Sequence, residues 1–178
     1  MIRIFAVVAA MALTSAAALG QDTSKVEPLD GLMHPVRDTM LEHVAGHWQI
    51  NRMMGGRSSA STVEATWVLN HQFLQLHYVP DRASPQPYEA IVYIGYDNMS
   101  ERYVVHWLDI FGGRVSETMG FGSRVANGMR FVFEYPDGPF TNVFTFDPST
   151  QSWNLLLRQK KARGEWATFA TEQWRRVQ

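Results

Sequence analysis

"SETMGFGSRVANGMRFVFEY", residues 116–135, carries the strongest folding instruction in the chain. Asn127-Gly128 lies between two strand-like runs, and this dipeptide suits the pair of positive φ angles that a tight type I′ hairpin demands. After it, Met129, Phe131, Phe133 and Tyr135 fall on one face and Arg130 and Glu134 on the other, the period of a strand with one buried side. Trp153, Leu155 and Leu157 repeat that pattern against Asn154 and Arg158.

Outward from this hairpin, turn residues punctuate the chain at Gly55-Gly56, Asn70-His71, Asp97-Asn98, Gly112-Gly113, Asp137-Gly138, Asp147-Pro148 and Arg163-Gly164. Apolar, β-branched and aromatic runs recur between them at the spacing of all-β domains, which predicts about ten strands. Consecutive antiparallel hairpins leave two unpaired edges unless the sheet closes, so an up-and-down barrel is expected, with a two-sheet sandwich as the alternative. "YEAIVYIGY" and "YVVHWLDIF" are apolar on both faces, so a further element or a second subunit should cover the outer wall there.

Before the strands, "HPVRDTMLEHVAG" spaces Val36, Met40, Leu41 and Val44 at helical intervals, with Pro35 at a first turn and Gly46 as a stop. This predicts one short amphipathic helix. Residues 21–33 are polar or small, contain Pro28 and Gly31, and read as a linker or arm. Residues 1–20, "MIRIFAVVAAMALTSAAALG", have a basic start, a short apolar run and a small-residue end, the pattern of a secretory signal peptide. Its apolar run is well short of the roughly 20 residues that span a bilayer. An exported protein, periplasmic or secreted, is expected, with a single domain at 34–178 and no membrane span after cleavage.

Composition narrows function by exclusion. With 16 Lys+Arg against 17 Asp+Glu there is no electrostatic footprint for nucleic acid. The absence of cysteine from the sequence rules out disulfides, thiolate metal sites and thiol nucleophiles. No Gly-x-Ser-x-Gly elbow or phosphate loop is present. His43 and His47 have i, i+4 spacing, but Gly46 interrupts the helix that would have to carry both, so no metal is expected.

Gly46-His47-Trp48 at the entry of the first strand, after a short helix, resembles the Gly-x-Trp signature of the lipocalin and fatty-acid-binding superfamily. With "WVLNHQFLQLHYV", "EAIVYIGYDNMSERYVVHWLD" and the closing "EQWRRV", the chain is similar to an uncharacterised bacterial lipocalin-like family, domain of unknown function fifteen-seventy-nine, over about Val36 to Arg176. The resemblance implies a closed barrel and no established activity. It also implies that Trp48 closes one barrel end beneath an arginine of the last strand, Arg175 or Arg176, of which Arg175 is carried forward with Gly46 and Trp48 as the closing motif. Haem barrels of the nitrobindin type hold iron through a late histidine, and none follows His106, so no cofactor is expected.

Candidate ligand-binding residues are Trp67, His77, Tyr93, His106 and Glu117. His77 and His106 lie inside strands whose inward face is open to either phasing: Val104, His106 and Leu108, or Val105, Trp107 and Asp109. Glu117 shares a face with Val115, Met119 and Phe121, where an inward carboxylate would serve as a polar anchor or base. Three readings follow in order: a barrel binding a small hydrophobic or amphipathic molecule, an interaction protein with a filled barrel and a homodimer face, and an enzyme with an acid–base residue in the cavity.

Overall fold

The computed structural model describes residues 34–81, 83, 87–114 and 116–177; the signal peptide and the arm read from the sequence lie outside them. Helix α1, Thr39–Val44, begins at Thr39 and not at Pro35, because the Asp38 carboxylate caps it. Asp38 Oδ1 accepts the Met40 and Leu41 N–H groups at 2.9 and 3.0 Å, satisfying two donors that a helix start leaves open.

Ten strands follow: β1 (Gly46–Met54), β2 (Arg57–Val68), β3 (Phe73–Val79), β4 (Ala90–Asp97), β5 (Arg102–Asp109), β6 (Met119–Val125), β7 (Gly128–Tyr135), β8 (Gly138–Asp147), β9 (Ser152–Lys160) and β10 (Trp166–Arg176). Each pairs antiparallel with its sequence neighbours, and β10 returns to β1, so the sheet is a closed barrel with no edge. The sandwich alternative is excluded.

The hairpin that announces this fold is built differently from the sequence expectation. Val125 pairs with Gly128, which leaves Ala126 and Asn127 as the turn, and of these only Asn127 takes a positive φ, 55°. Gly128 is already in β7, outside the left-handed region. It is glycine because a Cβ there would collide with the carbonyl of Phe144 on β8. Close approach of strands, and not turn conformation, fixes that residue.

A ten-stranded barrel is wider than the eight-stranded barrels whose interiors ordinary side chains just fill. Here rings take up the extra space: Trp48, Trp153, Trp174, Tyr78, Tyr103, Phe131 and Phe144 are among the largest fully buried side chains. Gly120 and Gly122 of β6 supply room for two more close contacts, since a Cβ at either would stand 2.9 Å from the Phe133 ring or 2.5 Å from the Phe131 ring. The interior expected to be a cavity is therefore largely occupied by aromatic side chains.

One end of the barrel is closed by α1, which sinks Leu41 and Val44 wholly into the core. The helix does not cover the outer wall of β4–β6. Leu108, Met119 and Phe121 remain 45, 40 and 41% exposed there, and Arg102 lies 3.8 Å over the Phe121 ring.

Candidate functional site

Two clusters of polar side chains reach into the barrel, one at each end. At the α1 end, Trp48 Nε1 donates to the Val44 carbonyl at 2.6 Å, and the Arg176 guanidinium lies 4.3 Å over the Trp48 ring. Arg176 also donates to the carbonyls of Ala45 and His43, each at 3.0 Å, where a helix C-terminus leaves acceptors open and favours a cation. Gly46 has φ +130° and no room for a Cβ beneath Arg176, so conformation and contact both demand glycine. The residue over the tryptophan is thus Arg176 and not Arg175. Arg175 has the opposite parity on β10, is paired with Gln49, and is exposed on the outside.

The same end is locked by Asp38, which is 2% exposed. Its Oδ2 accepts the Tyr103 hydroxyl at 2.8 Å and Arg124 Nη2 at 2.6 Å, joining α1 to β5 and β6. Every polar group in this cluster has a partner within the chain, and its chemistry is that of a plug.

The opposite, open end is different. Arg52 of β1 and Glu172 of β10 face each other across the ladder, and Glu172 Oε1 accepts Arg52 Nε at 2.7 Å and Nη2 at 2.5 Å. The Glu172 side chain is fully buried and that of Arg52 is 14% exposed. Glu172 Oε2 accepts Trp174 Nε1 at 2.7 Å. The Arg52 guanidinium lies 4.6 Å over the Tyr88 ring and 5.9 Å from that of Tyr78. Burial is the largest single influence and works to lower the Arg52 pKa, but the charge and hydrogen bonds of Glu172 together with Tyr78 and Tyr88 outweigh it, and the net shift is upward.

Tyr78 stands at the centre of this layer, with the rings of Trp107, Trp174 and Tyr88 at 5.4, 5.8 and 6.0 Å. It is wholly buried, and its hydroxyl has no hydrogen-bond partner among the described residues. Burial, reinforced by the Glu172 charge, pushes its pKa far above the ordinary tyrosine value, so the hydroxyl keeps its proton. Towards the mouth, Trp107 Nε1 donates to the Tyr88 hydroxyl at 2.9 Å, which donates to Asp109 at 3.3 Å. Asp109 also accepts from the Phe111 backbone at 3.0 Å and from Ser116 Oγ at 3.3 Å. Tyr88 too has a raised pKa, chiefly through burial.

The sequence-derived candidates do not assemble here. Trp67 is at the α1 end, stacked on His71 at 3.9 Å and donating to Glu42 at 3.3 Å. His77 points outward from β3 and meets Glu89 at 3.2 Å. Tyr93 and His106 are cross-strand partners on the outer wall of β4 and β5, so the inward phasing of β5 is Val105 and Trp107. Glu117 lies in the connection before β6, partly buried, with its backbone against the Tyr135 hydroxyl. Met119 and Phe121, expected beside an inward Glu117, face solvent because Gly120 and Gly122 take the inner wall.

Arg52 and Glu172 were legible by parity alone, and Tyr78 only once the phase of β3 is known. Arg52 follows Trp48 and Ile50 at intervals of two, Tyr78 follows Leu74 and Leu76, and Glu172 precedes Trp174. Among the described residues no three His, Asp or Glu side chains are placed to share a metal ion, and no helix is long and apolar enough to cross a membrane. Two depressions of about 580 and 600 Å³ lie on the outer surface, one over the β8–β9 turn, β9 and the end of β10, the other over β1, β9 and β10, where it borders Arg52 and Glu172.

A family model described as "Protein of unknown function (DUF1579)" matches residues 36–176. No curated protein matches the chain.

Proposed function

Since the chain belongs to the DUF1579 family, whose description names no activity, we propose a function from the geometry of its own barrel: it binds a small amphipathic molecule at the open end, in a protein exported behind the leader of residues 1–20. The observation that carries this reading is the Tyr78 hydroxyl, fully buried among aromatic rings beside a buried ion pair and without a partner among the described residues. A buried polar group left unpaired costs about 1–3 kcal/mol, so such a group is retained where something else completes it. Mostly apolar walls with a few converging polar groups are the usual make-up of a small-molecule site. The rings of Tyr88, Trp107 and Trp174 close over Tyr78, so a ligand reaches its hydroxyl by parting the half-buried Tyr88 and Trp107 rings at the mouth.

The test is native mass spectrometry of the mature protein purified from an exporting host, with identification of whatever denaturation releases, and a crystal structure of the same material. A stoichiometric small molecule in contact with Tyr78 is the expected result. An empty protein whose crystals place only a water on the Tyr78 hydroxyl would overturn the proposal, because the water would then complete the hydrogen bond.

A second reading rests on a separate observation, the apolar outer wall of β4–β6, where Leu108, Met119 and Phe121 are exposed and α1, at one end of the barrel, does not cover them. On this reading the interior is simply core, and the wall is a homodimer face. A monomer mass in solution at micromolar concentration removes it; a dimer that Phe121→Arg dissociates supports it.

A further inference from the structure

The ion pair in the open end restricts what kind of molecule the site admits. This step rests on the ligand reading above and concerns the chemistry of the ligand's polar end. Arg52 has two N–H groups bound to Glu172 Oε1, and its planar face lies over Tyr88. Both Glu172 oxygens are engaged, since Trp174 Nε1 donates to Oε2. The protein therefore carries its own counter-ion for the only cation among the polar groups described at this layer. Asp109 adds a second carboxylate at the mouth, held by Tyr88, Ser116 and the Phe111 backbone.

We infer that the polar end of the ligand is an uncharged hydrogen-bond acceptor, such as a carbonyl or hydroxyl oxygen, that takes the proton of the Tyr78 hydroxyl, and that Glu172 excludes carboxylates from the same place. Among the described residues the Tyr78 hydroxyl, which can both donate and accept, fills neither role, and an oxygen that brings a lone pair takes its proton. A carboxylate would also bring one, but it would enter a weakly screened interior that already holds Glu172 and Asp109 against one guanidinium, where like charges strongly oppose each other. An ammonium ligand would have to compete with Arg52 for Glu172 and give up its hydration to do so. The uncharged acceptor satisfies Tyr78 and leaves the ion pair intact.

The probes are a matched series of one ring size: acetophenone, ethylbenzene, benzoate and benzylamine, titrated into the mature protein at pH 7. The readout is the NMR signals of the Trp107 and Trp174 indole N–H groups, which flank Tyr78. Acetophenone is expected to bind about tenfold tighter than ethylbenzene, the worth of one buried hydrogen bond. Benzoate and benzylamine are each expected to be at least about tenfold weaker than acetophenone. Tyr78→Phe should erase the advantage of acetophenone, bringing the ratio of its affinity to that of ethylbenzene from about ten to about one. Glu172→Gln should raise benzoate affinity; should that variant fail to fold, the wild-type series and Tyr78→Phe still decide.

Benzoate binding tightest to the wild type, or acetophenone unaffected by Tyr78→Phe, would overturn the inference while leaving the site in place. If none of the four probes moves either indole signal, the site itself falls, and the inference with it.

Discussion

Removing either partner of the Arg52–Glu172 pair should destabilise the barrel far more than removing both. The two single variants are Arg52→Met and Glu172→Leu. Glu172 is completely buried and Arg52 is 14% exposed at the mouth, so the singles should differ. Arg52→Met strands a carboxylate in the interior with only the Trp174 indole to bind it, and should cost about 4–5 kcal/mol. Glu172→Leu strands a guanidinium that can swing towards solvent on a long stem, and should cost nearer about 3 kcal/mol. The double variant buries apolar side chains in place of both charges and leaves only the Trp174 N–H unpaired, a loss of about 1–2 kcal/mol. Urea unfolding followed by tryptophan fluorescence measures all four proteins, and Trp174 is itself fully buried beside the pair. The expected coupling between the two positions is therefore at least about 5 kcal/mol. If the single losses add up in the double variant, the charges do not interact as described. If the double variant is nearly as stable as the wild type yet no longer holds a ligand, the pair is kept for recognition, since stability alone would have replaced it with apolar residues.

The α1 plug yields a graded test at Asp38: Asp38→Ala removes two helix-capping bonds and the partners of Tyr103 and Arg124, a loss of about 3 kcal/mol, whereas Asp38→Asn keeps the caps and should lose about half of that by urea midpoint. Arg176→Ala should cost about 1–2 kcal/mol through the Trp48 ring and the two helix carbonyls, while Arg175→Ala on the outer wall should stay within about 0.5 kcal/mol; equal losses would remove Arg176 from the closing motif. The buried tyrosines predict alkaline unfolding. Tyr78, Tyr88 and Tyr103 all have raised pKa values, chiefly through burial, so the folded chain keeps protons that the unfolded chain loses above pH about 10. Their contribution is complete below that pH and is lost as pH rises, with Tyr78 alone giving a slope of about 1.4 kcal/mol per pH unit. Urea midpoints between pH 8 and 11 with absorbance at 295 nm check this, and tyrosines that ionise near pH 10 without any loss of stability would contradict it.

Much of the fold was legible because barrel closure needs only local signals. Turn residues between alternating runs specify antiparallel neighbours, and ten such strands have nowhere to leave an edge but against each other. Where the sequence misled, a local rule was read at a place that a long-range contact decides. Asn127-Gly128 marks the correct hairpin, yet Gly128 answers to a carbonyl on β8, a strand that no turn rule mentions. Pro35 suggested the helix start because its ring presets φ, while the decisive residue was Asp38, whose second oxygen is claimed by β5 and β6. In both places a long-range contact selects a residue that a local rule also accepts.

The site was harder to read for a related reason. Histidine and tyrosine attract attention as chemical groups, and His77, Tyr93 and His106 lie in strands apolar enough on both faces that period two could not tell wall from lumen. The strands whose phase was certain were the first and last, anchored by Trp48 and Trp174, both wholly buried. Stepping by two from those tryptophans reaches Arg52 on β1 and Glu172 on β10, opposite charges on adjacent strands of a closing seam. One buried charge argues against an inward assignment; two complementary ones, paired by the very closure that the barrel requires, argue for it. The ion pair could thus be deduced once closure was granted, whereas the unpartnered Tyr78 hydroxyl could not, because an absent partner is a property of three-dimensional packing and leaves no trace in residue order.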